Sequence, residues 1–144
     1  SQAGVDGVLT VDCPAEEIDS LQQNLRGAGI DCIFLIAPTT TETRAQHIIN
    51  KASGFLYYVA LTGVTGAATL DTEKVAQKIA QLKTQTSLPI VAGFGIKDAQ
   101  SAATIAKVAD GVVVGSRLVQ TIEANPGQEA TAVGLLIKNI KEAI

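Results

Sequence analysis

A rhythm of short, almost unbroken apolar runs constrains this chain more than any other feature. Five such runs cover residues 5–12, 31–37, 54–61, 88–94 and 110–115. Wording such as IFLIA and VVVG does not alternate between apolar and polar residues, as a strand with one wet face does. It marks strands buried on both faces, and hence a parallel sheet covered by helices. The runs start at 5, 31, 54, 88 and 110, so successive starts lie 26, 23, 34 and 22 residues apart. Each interval has room for a crossover helix, which makes the pattern one of repeated βα units.

The segments between the runs carry helix signals. Ile18, Leu21 and Leu25 recur at i, i+3 and i+7, and Val75, Ile79 and Leu82 at i, i+4 and i+7. Val133, Leu136, Ile137, Ile140 and Ile144 predict a long amphipathic helix near the C-terminus. Thr39 and Glu42 have capping-box spacing, Asp71 and Asp98 fall where N-caps are wanted, and Gly27 and Gly29 follow the first helix as a stop. No Pro/Gly/Ser linker interrupts the order, so residues 1–144 read as a single domain.

Two α/β architectures share this rhythm. One is a five-stranded doubly wound sheet, which 144 residues fill comfortably. The other is part of a (β/α)8 barrel, which needs about 250 residues for its eight units.

Composition narrows the function classes. The chain is 47 % hydrophobic and 17 % charged, enough apolar material for a core. Its net charge of −3, the lack of a basic cluster and the absence of Trp argue against nucleic acid as a partner. No apolar run approaches the roughly 18 residues of a membrane span, so membranes are not expected as a partner either. Ser1-Gln2-Ala3-Gly4 shows no charged region leading into an apolar run, so no secretory signal is expected. Cys13 and Cys32 are too few for a disulfide framework and read as buried thiols in a cytoplasmic protein. Cys13 has no basic neighbour to activate it as a nucleophile. His47, the only histidine, sits mid-helix as a solvent-facing residue, and no metal-ligand spacing occurs.

The chemistry-bearing wording lies where strands end. The third run leads into Thr62-Gly63-Val64-Thr65-Gly66, the fourth into Gly93-Phe94-Gly95, and the fifth into Gly115-Ser116, which opens a helix. In a parallel sheet all three ends share one rim. Glycines there let backbone N–H groups approach an anion, and a helix N-terminus adds partial positive charge. A phosphate site is the expected use; tight βα turns are the alternative. There is no GxxxxGK[ST] and no GxGxxG after a strand, so neither a P-loop nor a dinucleotide fingerprint is present.

Gly63-Val64-Thr65-Gly66 and Gly93-Phe94-Gly95-Ile96, with the segment from Val8 through Asp12 to Pro14 and with Gly115-Ser116, resemble the tryptophan synthase α subunit family over the whole chain. The resemblance implies the C-terminal portion, about five strands from the fourth onward, of a TIM (β/α)8 barrel. It implies a lyase of tryptophan biosynthesis that cleaves indole-3-glycerol phosphate to indole and glyceraldehyde 3-phosphate. Matched residue by residue, substrate phosphate would fall on Gly66, Gly95, Gly115 and Ser116. Leu9, Leu35, Tyr57 and Phe94 would line the indole pocket, and Thr65 would sit in a loop that closes over substrate. Asp12 would shape the site and its coupling to a β subunit; read from the sequence alone it could equally cap the turn at 14–16. Some relatives carry Arg two residues before the position of Gly63, where this chain has Leu61.

The resemblance places the family's two catalytic carboxylates, a Glu on the second strand and an Asp on the loop after it, outside the matching region. These 144 residues are therefore expected to bind a phosphorylated indole and to turn over nothing alone. No cofactor is expected, since pyridoxal phosphate belongs to the β subunit partner. A half-barrel would have two open edges, at residues 5–12 and 110–115, and would self-associate or pair with a complementary half. The alternative reading is an engineered or proteolysed half-barrel with a structural role only.

Overall fold

A computed structural model describes residues 3–11, 18–59, 72–93 and 95–144. The strands are β1 (Gly7–Thr10), β2 (Asp31–Ile36), β3 (Leu56–Val59), β4 (Ile90–Gly93) and β5 (Gly111–Val112). Among them lie α1 (Asp19–Gly27), α2 (Glu42–Lys51), α3 (Thr72–Lys83) and α4 (Ala99–Ala106), and after β5 come α5 (Ser116–Glu123) and α6 (Glu129–Lys141). All five strands are parallel and pair in chain order, β1-β2-β3-β4-β5.

That order decides between the two architectures. A doubly wound sheet reverses direction partway across, which sends helices to both faces. Here the order never reverses, and right-handed crossovers then stack the helices on one face. Burial follows the register. Phe34, Leu56 and Ile90 are aligned neighbours and all are buried, as are Ile36, Tyr58 and Ala92 one pleat further along. They form the core with Ile48 and Ile49 of α2, Ile79 and Leu82 of α3, and Ile105 of α4. Burial at this face also pushes the Tyr58 phenol up from its ordinary value.

The other face departs from the expectation of strands covered on both sides. Leu35, Tyr57, Val59 and Val91 are only half-buried there, and Leu9 is 43 % exposed. Ile33 and Gly93 are the buried positions on that face. Ile33 lies over Gly7, where a Cβ would come within 2.8 Å of its Cδ1. The apolar runs are thus those of a barrel interior, open on this side. The edges are β1 and β5, as expected.

Local signals explain most element ends. Asp98 caps α4: the backbone N–H of Ser101 donates to its Oδ1 at 2.8 Å, and the Ser101 hydroxyl donates to the same oxygen at 2.7 Å. The cap of α2 is Thr41 rather than Thr39; its hydroxyl accepts from the Arg44 N–H. Gly29, at φ +67°, lets the chain leave α1 in a left-handed turn. The face of α1 is rotated from the expected one, since Leu21 is exposed and Gln22 is buried with its amide donating to the Lys51 carbonyl. His47 is half-buried on α2 rather than solvent-facing. Cys32 is buried beneath the helices, while Cys13 and Asp71 lie outside the described residues.

Candidate functional site

Three chain segments meet at the rim formed by the C-terminal ends of the strands: the end of β3 at Tyr57 and Val59, and the segments that follow β4 and β5. β4 stops at Gly93, and Gly95 turns the chain at φ +64° toward Lys97 and the cap of α4. β5 stops at Val112, and three residues later Gly115 starts α5. The carbonyl of Gly115 accepts from Leu118 N–H at 2.8 Å, so the helix begins at once, and no side chain caps it. The first backbone N–H groups of any such helix lack intrahelical partners and carry its partial positive charge.

Between these segments lies a cleft of about 490 Å³. Its apolar wall is Tyr57, Val59, Val113 and Ile96, and its polar part is Ser116, Lys97, Arg117 and Gln120, with Gly93, Gly95 and Gly115 exposing backbone. Apolar walls with a few convergent polar groups suit a small molecule, and Lys97 and Arg117 among those groups suit an anionic part of it. Gly93 keeps the cleft open beside Tyr57: a Cβ there would lie 2.9 Å from Cε2 and Cζ of the phenol ring. Gly95 and Gly115 have nothing within 4 Å of a would-be Cβ, so their open sides face unfilled space.

The cleft gathers four of the residues singled out in the sequence, Tyr57, Gly95, Gly115 and Ser116. Leu35 is the aligned neighbour of Tyr57 on the same face but does not line the cleft. Leu9 aligns with Ile33, one layer lower on the open edge strand, and is also outside it. Asp12, Thr65, Gly66 and Phe94 lie outside the described residues. Lys97, Arg117 and Gln120 were not anticipated. The sequence signal for the first two was adjacency, since Lys97 follows Gly95 by two positions and Arg117 directly follows Ser116.

Charge at the rim is uneven. Asp98 is held below the ordinary carboxylate range, first by the Ser101 hydroxyl and backbone, then by the charges of Lys97 and Arg117. Among the described residues no group of three or more His, Cys, Asp or Glu could hold a metal, and no helix is long and apolar enough to cross a membrane.

The family model described as "Tryptophan synthase alpha chain" matches residues 1–144. This chain belongs to the tryptophan synthase alpha chain family. It is similar to the tryptophan synthase alpha chain of Neisseria meningitidis serogroup B, at 58 % identity over 144 residues, covering 100 % of this chain and 55 % of that one. The alpha chain of Chromobacterium violaceum is 54 % identical over 143 residues. Among solved structures, the tryptophan synthase subunit alpha of Legionella pneumophila superposes with a TM-score of 0.86 at 37 % identity, covering 99 % of this chain and 53 % of that chain. The crystal structure of the tryptophan synthase complex of Pyrococcus furiosus matches with a TM-score of 0.81 at 26 % identity. The chain spans about half the length of the curated relatives it matches. The tryptophan synthase alpha chain fold is a barrel of parallel βα units, and the five strands here form about half of it.

Proposed function

We propose that these residues supply the phosphate grip and part of the indole wall of a carbon–carbon lyase site. That site cleaves indole-3-glycerol phosphate to indole and glyceraldehyde 3-phosphate in tryptophan biosynthesis. The observation that carries the reading is the meeting of Tyr57, Gly95, Gly115 and Ser116 in one cleft at the C-terminal rim, where barrel enzymes place their chemistry. Phosphate would lie against the backbone of Gly95 and Gly115 and the Ser116 hydroxyl, with the α5 N-terminus behind it. The indole would lie toward Tyr57, whose phenol offers a flat apolar face and one polar tip. Gly66 and Phe94 join phosphate and indole respectively in this reading, Leu9 and Leu35 extend the wall, Thr65 closes over substrate, and Asp12 shapes the site.

The reaction moves a proton onto the indole ring carbon that bears the side chain and removes one from the indole nitrogen side. The bond to the glycerol phosphate chain then breaks: the hydroxyl on its first carbon loses its proton as the aldehyde forms, and the electron pair returns to the ring, whose nitrogen regains a proton. These steps need an acid–base pair. Among the described residues, none that lines the cleft is a carboxylate. In the proposed reading the pair comes from units outside these 144 residues, which alone bind without turnover. The chain brings no cofactor of its own; its partner is a β subunit that carries pyridoxal phosphate.

Two measurements test this. Titration with glycerol 3-phosphate should slow exchange of the Gly95 and Gly115 amides; unchanged exchange would leave the chain a structural scaffold only. Cleavage of indole-3-glycerol phosphate by these residues alone would refute the placement of the acid–base pair elsewhere.

A further inference from the structure

We propose that Lys97 and Arg117 set the charge specificity of the cleft, selecting a dianionic phosphate monoester over a singly charged phosphate ester. The inference rests on the phosphate reading above and assigns two side chains that reading does not use.

Both cations sit where folding alone gives no reason for them. Arg117 occupies the first turn of α5, which contains no acidic residue. A cation there opposes the partial positive charge of the helix end, so it is unfavourable unless an anion is held between them. Lys97 lies one residue before the α4 cap, and its backbone N–H donates to the Ser101 hydroxyl at 3.1 Å. Its main chain is thereby fixed at the cleft edge while its side chain stays exposed. Arg117 is a local choice that conflicts with helix stability, and Lys97 adds a second cation on the facing segment of the same cleft, a combination that points to a functional site.

Asp98, next to Lys97 in the chain, is taken up by the cap of its own helix. Asp98 Oδ1 is engaged by both the N–H and the hydroxyl of Ser101, and Asp98 is absent from the cleft lining, whereas Lys97 and Arg117 are in it. Among the described lining residues the charged groups are Lys97 and Arg117, and both are cations. Lys97 and Arg117 line the same cleft, so the α4 and α5 sides meet there. Backbone N–H groups donate to any phosphate oxygen and distinguish one charge from two only weakly. Side-chain point charges make that distinction, and the Arg guanidinium can also bind two phosphate oxygens at once.

The test compares methyl phosphate with dimethyl phosphate at pH 8, where the monoester is a dianion and the diester a monoanion. Binding is read from chemical-shift changes at the Gly95 and Gly115 amides of the full chain. Wild type should prefer methyl phosphate about tenfold, from two partly exposed charge contacts of modest strength each. Lys97→Gln/Arg117→Gln should cut that preference to about twofold while both esters still shift the amides, and Arg117→Lys should keep most of it. A double variant that retains the wild-type preference, or a wild type with none, overturns the charge assignment and leaves the phosphate site standing. A wild type whose amides respond to neither ester overturns the site itself and the assignment with it.

Discussion

The phenol ring of Tyr57 on β3 lies over the Cα of Gly93 on β4, on the open face of the sheet. Val59 and Gly93 are aligned partners, so Tyr57 reaches Gly93 along a diagonal, the spacing within reach of an aromatic side chain. The ring and the missing Cβ together form one corner of the cleft.

Replacing Gly93 with Ala should therefore destabilise the fold by about 1–3 kcal/mol, the usual range for overpacking a filled site. Urea denaturation of Gly93→Ala, Tyr57→Ala and the double variant measures the coupling. The double variant should cost clearly less than the two single costs added together, because deleting the ring removes the clash. Strictly additive costs would mean that the two residues do not share this space.

Asp110 fastens the edge strand to its neighbours. Its Oδ2 accepts from the Ile90 N–H at 2.8 Å and its Oδ1 from Lys83 Nζ at 2.8 Å. The Ile90 hydrogen bond first, and Lys83 second, hold its carboxyl below the ordinary value. A carboxyl lowered on folding adds stability that is fully present above its unfolded pKa and is lost as pH falls through its folded one. Asp110→Asn should cost about 1 kcal/mol at pH 7, a modest figure because the side chain is 42 % exposed. The gap between variant and wild type should narrow as pH drops below about 3.9. A gap that widened in acid would contradict the assignment.

Gly95 and Gly115 separate backbone strain from binding. Gly95 has φ +64°, while Gly115 has φ −115°, and neither would bring a Cβ within 4 Å of another atom. Gly95→Ala should lower stability by about 1–2 kcal/mol through left-handed strain alone. Gly115→Ala should leave the melting temperature nearly unchanged and still weaken glycerol 3-phosphate binding, since its methyl group would occupy the approach to the α5 N-terminus. Full retention of affinity in Gly115→Ala would remove Gly115 from the phosphate site.

The open edge at β1 makes association a measurable property. Leu9 on β1 and the flanking Val5 and Val11 are 43, 41 and 58 % exposed, an apolar row along the open edge. The 144-residue chain should sediment as a concentration-dependent mixture above the monomer mass, and Val11→Lys should shift it toward monomer. A wild type that sediments as a single monomer at every concentration would show that the edge does not pair.

The fold was legible because periodicity reports on backbone pairing, and a chain-ordered parallel sheet keeps each strand within one helix of its neighbour. Val75, Ile79 and Leu82 are all buried, as their spacing requires. Periodicity says less about what covers a face. Val133, Leu136, Ile137, Ile140 and Ile144 form an apolar stripe, yet only Ile140 among them is buried, and Ile137 and Ile144 are 42 and 53 % exposed. The same gap explains the expectation of strands covered on both sides, since a barrel lining and a doubly covered sheet are written alike. Thr39 lost the capping role to Thr41 because its spacing to Glu42 satisfied the motif, whereas the chain enters the helix two residues later. At the site, glycine positions were readable from wording, but Arg117 and Lys97 were not, because their role depends on two helix ends facing one space.

The strand order has a consequence for how the molecule is made. Each strand pairs with the one synthesised just before it, so the chain never waits for a distant segment to arrive before burying apolar surface. Loop-closure cost stays similar at every step, and structure can grow by accretion, one βα unit on the last. Amide exchange should accordingly be slowest at β2, β3 and β4, each flanked by two strands, and faster at β1 and β5, each paired on one side only.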